Sequence, residues 1–143
     1  MILTADLTDL KSVAAAYRAE LAQSYLTGVT VQKLLGINAA TLKTWRRGNR
    51  LLSVWHSPSH SYLYPDFQSD HGKLVEQMPE LLSYFRMGYY SEIRVNSWSK
   101  VEWFMSPHAL LDGLRPAEML ATDPQRVLKI GKQDLLADPN TLW

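Results

Sequence analysis

The spacing of hydrophobic positions changes along this chain, and each change marks an element. Between residues 7 and 26, apolar side chains recur every three or four positions, at Leu10, Val13, Ala14, Tyr17, Leu21 and Tyr25, with no Gly or Pro among them. That period predicts one amphipathic helix ended by Gly28, its stripe packing as a third helix on the next unit or against a second copy. A short helix is expected over residues 30–35, after which Gly36 supplies the left-handed residue for a sharp turn. Asn38 is placed to cap a further helix over residues 39–47, with Arg46 and Arg47 in its last turn and Gly48 as its stop. Leu34, Leu35, Ile37, Leu42 and Trp45 have the spacing of residues that hold two such helices together.

Strand-type residues follow. Residues 51–55 and 62–64 are bulky or β-branched, and the Ser-, His- and Pro-containing residues 56–61 between them read as a turn, so a hairpin is expected. Beyond Pro65 a second helical region begins loosely over residues 66–72. Residues 73–87 read as a helix interrupted near Pro79, or as one that Pro79 begins. Ser97 or Asn96 can cap a helix over residues 98–105, with Trp98, Val101, Phe104 and Met105 on one face. After Pro107, Gly113 allows a positive-φ bend and Pro116 starts a helix, with Leu110, Leu111, Leu114, Met119 and Leu120 expected to pack inward. The expected fold is mainly α with a small β-hairpin wing. It divides into an N-terminal helix (1–28), a winged helix-turn-helix unit (29–67) and a helical domain with a tail (68–143).

Charge sharpens one segment. Lys33, Lys43, Arg46, Arg47 and Arg50 all lie between residues 29 and 65, where no Asp or Glu occurs, so that segment carries +5 in a chain whose net charge is +1. A local surplus of this kind suits phosphate contact. The leucines and Trp45 are core under any reading, whereas Thr41, Lys43, Thr44, Arg46, Arg47 and Arg50 are candidate DNA contacts. The bland alternatives are a solvated basic face or a protein-binding relic of a helix-turn-helix. Two short helices joined by a tight turn form a helix-turn-helix, whose second helix commonly enters the major groove. The sequence of a helix, "LLG", "TLKTW", a basic pair, Gly and a hairpin ending in Tyr64-Pro65 resembles the helix-turn-helix of MerR-type regulators and phage excisionases. That likeness implies a hairpin wing lying along the DNA backbone.

A second, more specific resemblance covers the C-terminal half. A Trp-bearing helix (Trp103, Phe104), Pro107, "LLDG" with Leu111 and Gly113, then "PAEML" with Pro116 and Leu120, continued by Arg126, Val127 and Ile130, is similar to the toxin-binding domain of MbcA/ParS/Xre-type antitoxins. Tyr64, Pro65, Phe67 and Gln68 also recur in that family. The bland alternative is any well-punctuated helical bundle. The resemblance implies an antitoxin that neutralises a co-expressed protein toxin, often a RES-type NAD-consuming enzyme, and represses its own operon by binding double-stranded operator DNA as a dimer, with no cofactor. Members often carry a different, Xre-type helix-turn-helix, so operator and dimer geometry do not carry over. Inhibition by occlusion would make Leu135, Leu136, Leu142 and Trp143 anchors in the toxin, with Asp134, Asp138 and the terminal carboxylate meeting basic groups; alternatively Trp143 folds back on its own domain.

Catalysis is not expected. There is no Cys, no Walker loop, no Gly-rich dinucleotide fingerprint and no Gly-x-Ser-x-Gly. His56 and His60 flank Pro58 in the turn and with His71 give a weak metal spacing, so no metal site is expected. No membrane span or secretion signal is visible, which points to the cytoplasm. The competing readings are an excisionase or regulator without a toxin, and a purely protein-binding adaptor.

Overall fold

A computed structural model of the chain describes residues 3–87 and 97–136, which are mainly helical with two small antiparallel sheets. In order these are α1 (Leu3–Ala22), β1 (Leu26–Thr27), α2 (Gly28–Leu35), α3 (Ala39–Arg47), β2 (Val54–His56), β3 (Ser61–Tyr64), β4 (Ser69–Asp70), β5 (Lys73–Leu74), α4 (Met78–Arg86), α5 (Ser97–Met105), α6 (Pro116–Met119) and α7 (Pro124–Leu136). Among the described residues no helix is long and apolar enough to cross a membrane.

The first helix ends earlier than its periodicity suggests, because Gln23, Ser24 and Tyr25 turn back onto Glu20, Leu21 and Ala22 by backbone hydrogen bonds. Gly28 does not end α1 but opens α2, whose cap is Thr27: its hydroxyl accepts the Thr30 N–H at 3.2 Å. Leu26 and Thr27 themselves pair with Tyr64 and Leu63, adding a strand that two residues are too few to announce by alternation. The N-terminal stripe is not the third helix of this unit, since Leu10 and Val13 are both 64 % exposed and Tyr17 is exposed too. Among the described side chains of α1, Leu21 and Ala22 pack on the core, joined by the following Tyr25.

Strand order in the larger sheet is β1-β3-β2, with Val54 opposite Leu63 and Trp55 opposite Tyr62. Alternation buries Val54 and Leu63 and leaves Trp55 and Tyr62 outside. Residues 66–74 correct the helical expectation. A single 3-10 turn, Asp66–Gln68, leads into the β4-β5 hairpin, whose turn residues His71 and Gly72 both have positive φ (51° and 76°) as a tight two-residue hairpin requires. Pro79 sits in the first turn of α4, so it begins that helix rather than interrupting a longer one.

Gln68 locks the strands of the larger sheet to the 3-10 turn. Its buried amide accepts the Leu52 N–H at 2.7 Å and donates to the Leu52 carbonyl at 2.7 Å and the Pro65 carbonyl at 3.1 Å. The main core runs from Leu52, Val54 and Leu63 of the hairpin into Met78, Leu81, Phe85, Val101, Phe104, Leu120, Val127 and Leu135 of the C-terminal helices. Residue 68 therefore lies inside continuous packing. A smaller core of Val31, Leu42, Leu51 and Tyr64 holds α2, α3 and the sheet together.

Where α7 crosses α4, a Cβ on Gly131 would stand 2.7 Å from Leu81 Cδ2 and 3.5 Å from the Trp103 ring. Leu81 is fully buried and has nowhere to go. Gly131→Val is expected to lower stability by about 1–3 kcal/mol, read from chemical unfolding; an unchanged midpoint would mean the helices do not approach so closely. Tyr25 stacks on Trp98 at 6.3 Å, but its buried hydroxyl has no partner among the described residues. Burial, followed by the charge of Asp66, raises its pKa, so the unfolded chain loses this proton first and stability falls as pH climbs past about 10. Tyr25→Phe is expected to stabilise the protein by up to about 1 kcal/mol at neutral pH and to flatten that alkaline fall, both measured by thermal unfolding across pH. A neutral-pH loss instead would reveal a hydrogen bond to the hydroxyl.

Three expected core positions are exposed, Leu34 on α2 and, in the C-terminal region, Leu110 and Leu114, while Leu111 and Leu120 are fully buried. For Leu110 and Leu114 the reason is the turn between them. Asp112 and Gly113 both take positive φ (59° and 80°), reversing the chain so that alternate leucines diverge. Arg126 fastens this turn through the Leu110 carbonyl at 2.7 Å and Asp112 at 3.4 Å.

Candidate nucleic-acid interface

Helices α2 and α3 are joined by Gly36, Ile37 and Asn38. Gly36 is left-handed (φ 66°), and the Asn38 side chain accepts the Thr41 N–H at 2.8 Å, so both residues expected to shape the turn do so. Gly48 follows α3 but at φ −85°; the left-handed residue is Asn49 (φ 56°). Burial of Leu42 between the helices fixes how α3 rotates. Ala39, Ala40, Lys43, Thr44 and Arg47 then share one exposed face, and Thr41, Trp45 and Arg46 lie half-buried on its flanks. Thr44 spends its proton on the Ala40 carbonyl (3.0 Å), leaving its oxygen as an acceptor.

The basic residues fall into two groups. Lys43 and Arg47 stand free on the face. Arg46 turns toward the hairpin, its guanidinium 3.9 Å above the Tyr62 ring, and Arg50 lies 5.0 Å over Trp45. Burial raises the pKa of Tyr64, and the neighbouring Arg46 guanidinium opposes it only in part. Tyr62 in turn meets Trp55 edge-on at 5.1 Å, and Trp55 meets His60 at 6.3 Å, so an aromatic layer connects α3 to the tip of the hairpin. Cation–π contact holds a guanidinium without neutralising it. Among the described residues none of Lys33, Lys43, Arg46, Arg47 or Arg50 forms an ion pair.

The Arg46–Tyr62–Trp55 layer was not among the expected site residues. Its signal was available only in part. Once Val54 and Leu63 are taken as inward, alternation sends Trp55 and Tyr62 outward together; nothing in one dimension brings Arg46 to them. At the tip, the His56 ring nitrogen Nδ1 lies 2.6 Å from Ser59 Oγ, which lies 2.7 Å from Ser61 Oγ, giving a polar end with no acid. His71 pairs instead with Asp70 at 2.8 Å, and among the described residues no cluster of three His, Asp or Glu could hold a metal ion.

The expected partner-binding residues of the C-terminal region are arranged differently. Leu135 is 2 % exposed and Leu136 packs against the same core, so neither can anchor elsewhere without leaving the fold. Their burial follows from α7 continuing through Leu136. Asp134 accepts from Trp103 Nε1 at 3.2 Å and from His108 at 2.8 Å; His108 Nδ1 accepts the Leu110 N–H, which assigns its proton to Nε2. Asp138, Leu142 and Trp143 lie outside the described residues.

No protein-family model matches the sequence, and no curated protein matches it. The fold does recur: the NMR structure of Rv2175c superposes on 78% of this chain and 80% of its own with a TM-score of 0.62, at 18% sequence identity. At that identity the likeness is one of fold alone.

Proposed function

We propose that this protein is a DNA-binding regulator whose α2-turn-α3 unit and β2-β3 hairpin act as a winged helix-turn-helix on double-stranded DNA. One observation carries the reading: an exposed helix face bearing Lys43, Thr44 and Arg47, with no ion pair to an acid among the described residues, continues through Arg46 into the aromatic and histidine-tipped hairpin. Ala39 and Ala40 at the start of that face allow the backbone to come close to base edges. Lys43 and Arg47 contact DNA directly. Arg46 and Arg50 add positive charge from stacked positions, and Arg46 sets the hairpin against α3. Selection of bound sequences from a random duplex pool tests this, with one enriched motif expected; equal retention of all sequences, or of none, would refute it.

In its fuller form the reading is an antitoxin that represses its own operon. Support for that comes from the resemblance of the "LLDG…PAEML" segment and from Leu110 and Leu114, which stand outward beside the fastened turn and are better suited to contact a protein than the buried Leu135. Co-expression with a RES-type toxin encoded beside it should restore growth and yield a complex. A regulator without a toxin would bind DNA and give neither.

A further inference from the structure

A cleft of about 280 Å³ opens between Ala15, Arg18 and Ala19 of α1, Trp55 and His56 of β2, and Trp98 of α5. An apolar cavity of roughly 150 Å³ already holds benzene, so there is room here for one or two fused rings. The space exists because Ala15 and Ala19, one helical turn apart, bring only methyl groups to it. Its walls are tied together: Trp98 Nε1 donates to the Trp55 carbonyl at 3.4 Å, and the Trp98 ring stacks with Tyr25 at 6.3 Å. Trp55 is 46 % exposed, and its ring contacts, to Tyr62 and His60, are edge-on, so among the described residues no ring lies parallel to it. Arg18 lies 5.6 Å over Trp98 but has no ion pair or side-chain hydrogen bond among the described residues, which leaves its fork of N–H donors unspent. His56 engages Ser59 through Nδ1 at 2.6 Å; with Ser61 donating to Ser59 and Ser59 to Nδ1, the ring proton sits on Nε2 as a second donor. No Asp or Glu lines the cleft.

Aromatic walls with one unpaired guanidinium suit a ligand that has a flat apolar body and a single anionic end. We propose that the cleft binds a small aromatic carboxylate, its ring against Trp55 and its carboxylate taken by Arg18, with His56 as the second donor. Trp55 also meets Tyr62 beside Arg46, so the occupant touches a ring of the layer that joins the hairpin to α3 and acts as an effector of DNA binding. The effector role rests on the proposed DNA binding, whereas occupancy of the cleft does not.

Indole-3-acetate, titrated into the full chain without DNA, tests the site through the five indole N–H resonances of the heteronuclear NMR spectrum. A dissociation constant of about 1 mM or tighter is expected, with shifts at Trp55 and Trp98 and none at Trp103, whose N–H is held by Asp134. Indole-3-acetamide, which lacks the charge, and inorganic phosphate, which lacks the ring, should each bind at least about tenfold more weakly. Arg18→Gln should weaken the acid to the level of the amide. Ala19→Leu, at an exposed position, should fill the space and abolish binding with the thermal transition retained. Saturating indole-3-acetate should then change duplex affinity at least about fivefold. Absence of shifts at Trp55 and Trp98, binding of the amide or of phosphate as tight as that of the acid, or binding indifferent to Ala19→Leu would overturn the site. Occupancy with unaltered duplex affinity would overturn the effector role alone.

Discussion

Replacing Lys43 and Arg47 together by glutamate is expected to weaken binding to duplex DNA by roughly 100-fold or more near 0.1 M salt, while leaving the thermal midpoint within a few degrees of the parent. Both side chains are exposed on α3, neither has an acidic partner among the described residues, and neither contributes to a core, so the substitutions remove no folded-state contact. The change is in the field toward phosphate. If each contacts one phosphate, the slope of log affinity against log salt should shrink by about two. A parallel change at Arg46 separates two roles, because its guanidinium carries charge and is also stacked on Tyr62. Arg46→Lys keeps the charge and loses the flat stack. It should cost affinity through a looser hairpin while retaining most of the salt slope, whereas Arg46→Gln should lose both.

The second large effect falls on stability. Gln68→Leu keeps volume but removes every hydrogen bond that the buried amide makes, orphaning the N–H and carbonyl of Leu52 and one bond at Pro65. Each backbone group left unpaired in a core costs about 1–3 kcal/mol, so a loss of about 2–5 kcal/mol is expected. For a chain of this length that corresponds to a fall in midpoint of about 10 °C or more. Gln68→Glu should be almost as damaging at neutral pH, where a buried carboxylate lacks the donors that the amide supplies. Burial raises the pKa of such a carboxyl, so protonation restores a donor and the variant should recover stability as pH falls. Parent-like unfolding of both variants would mean that Leu52 finds other partners and that the amide is incidental.

Local signals in the sequence were the most legible. Gly36, Asn38, Pro79 and Pro116 form a left-handed turn, a cap and two first-turn prolines that depend on neighbours a few positions away, and each stands where the pattern put it. The hairpin itself was legible from its strand-type residues and the turn between them, whereas its register, which pairs His56 with Ser61 inside the expected turn, was not. Gln68 was visible as part of a recurring motif, but its partner lies sixteen positions away, and its role exists only after the chain has folded. Strand β1 escaped notice because two residues have no period. Leu110 and Leu114 misled for a related reason, since consecutive positive-φ residues break the regularity on which inward and outward assignments depend. The α1 stripe was legible as amphipathic, yet periodicity alone does not say whether its partner is the same chain or another.

The candidate site divides in the same manner. Thr41, Lys43, Thr44, Arg46, Arg47 and Arg50 were read as one set of DNA contacts, and the structure puts Lys43, Thr44 and Arg47 on an open face, Arg46 and Arg50 against aromatic rings, and Thr41 half-buried at the flank. That division fixes Arg46 and Arg50 against rings and leaves Lys43 and Arg47 on the open face, all four still charged. Stacked guanidinium groups are held in place by rings, and the face itself needs only Lys43 and Arg47 to remain mobile.

The central claim is that the α3 face and hairpin bind duplex DNA by phosphate contact with base-edge selection. The most direct measurement is the affinity of the full chain for its selected duplex across a salt series, beside a scrambled duplex. Selective binding with a salt slope of about −4 per protomer is expected when Lys43, Arg46, Arg47 and Arg50 each neutralise one phosphate. Equal affinity for both duplexes, or a slope near zero, would contradict it.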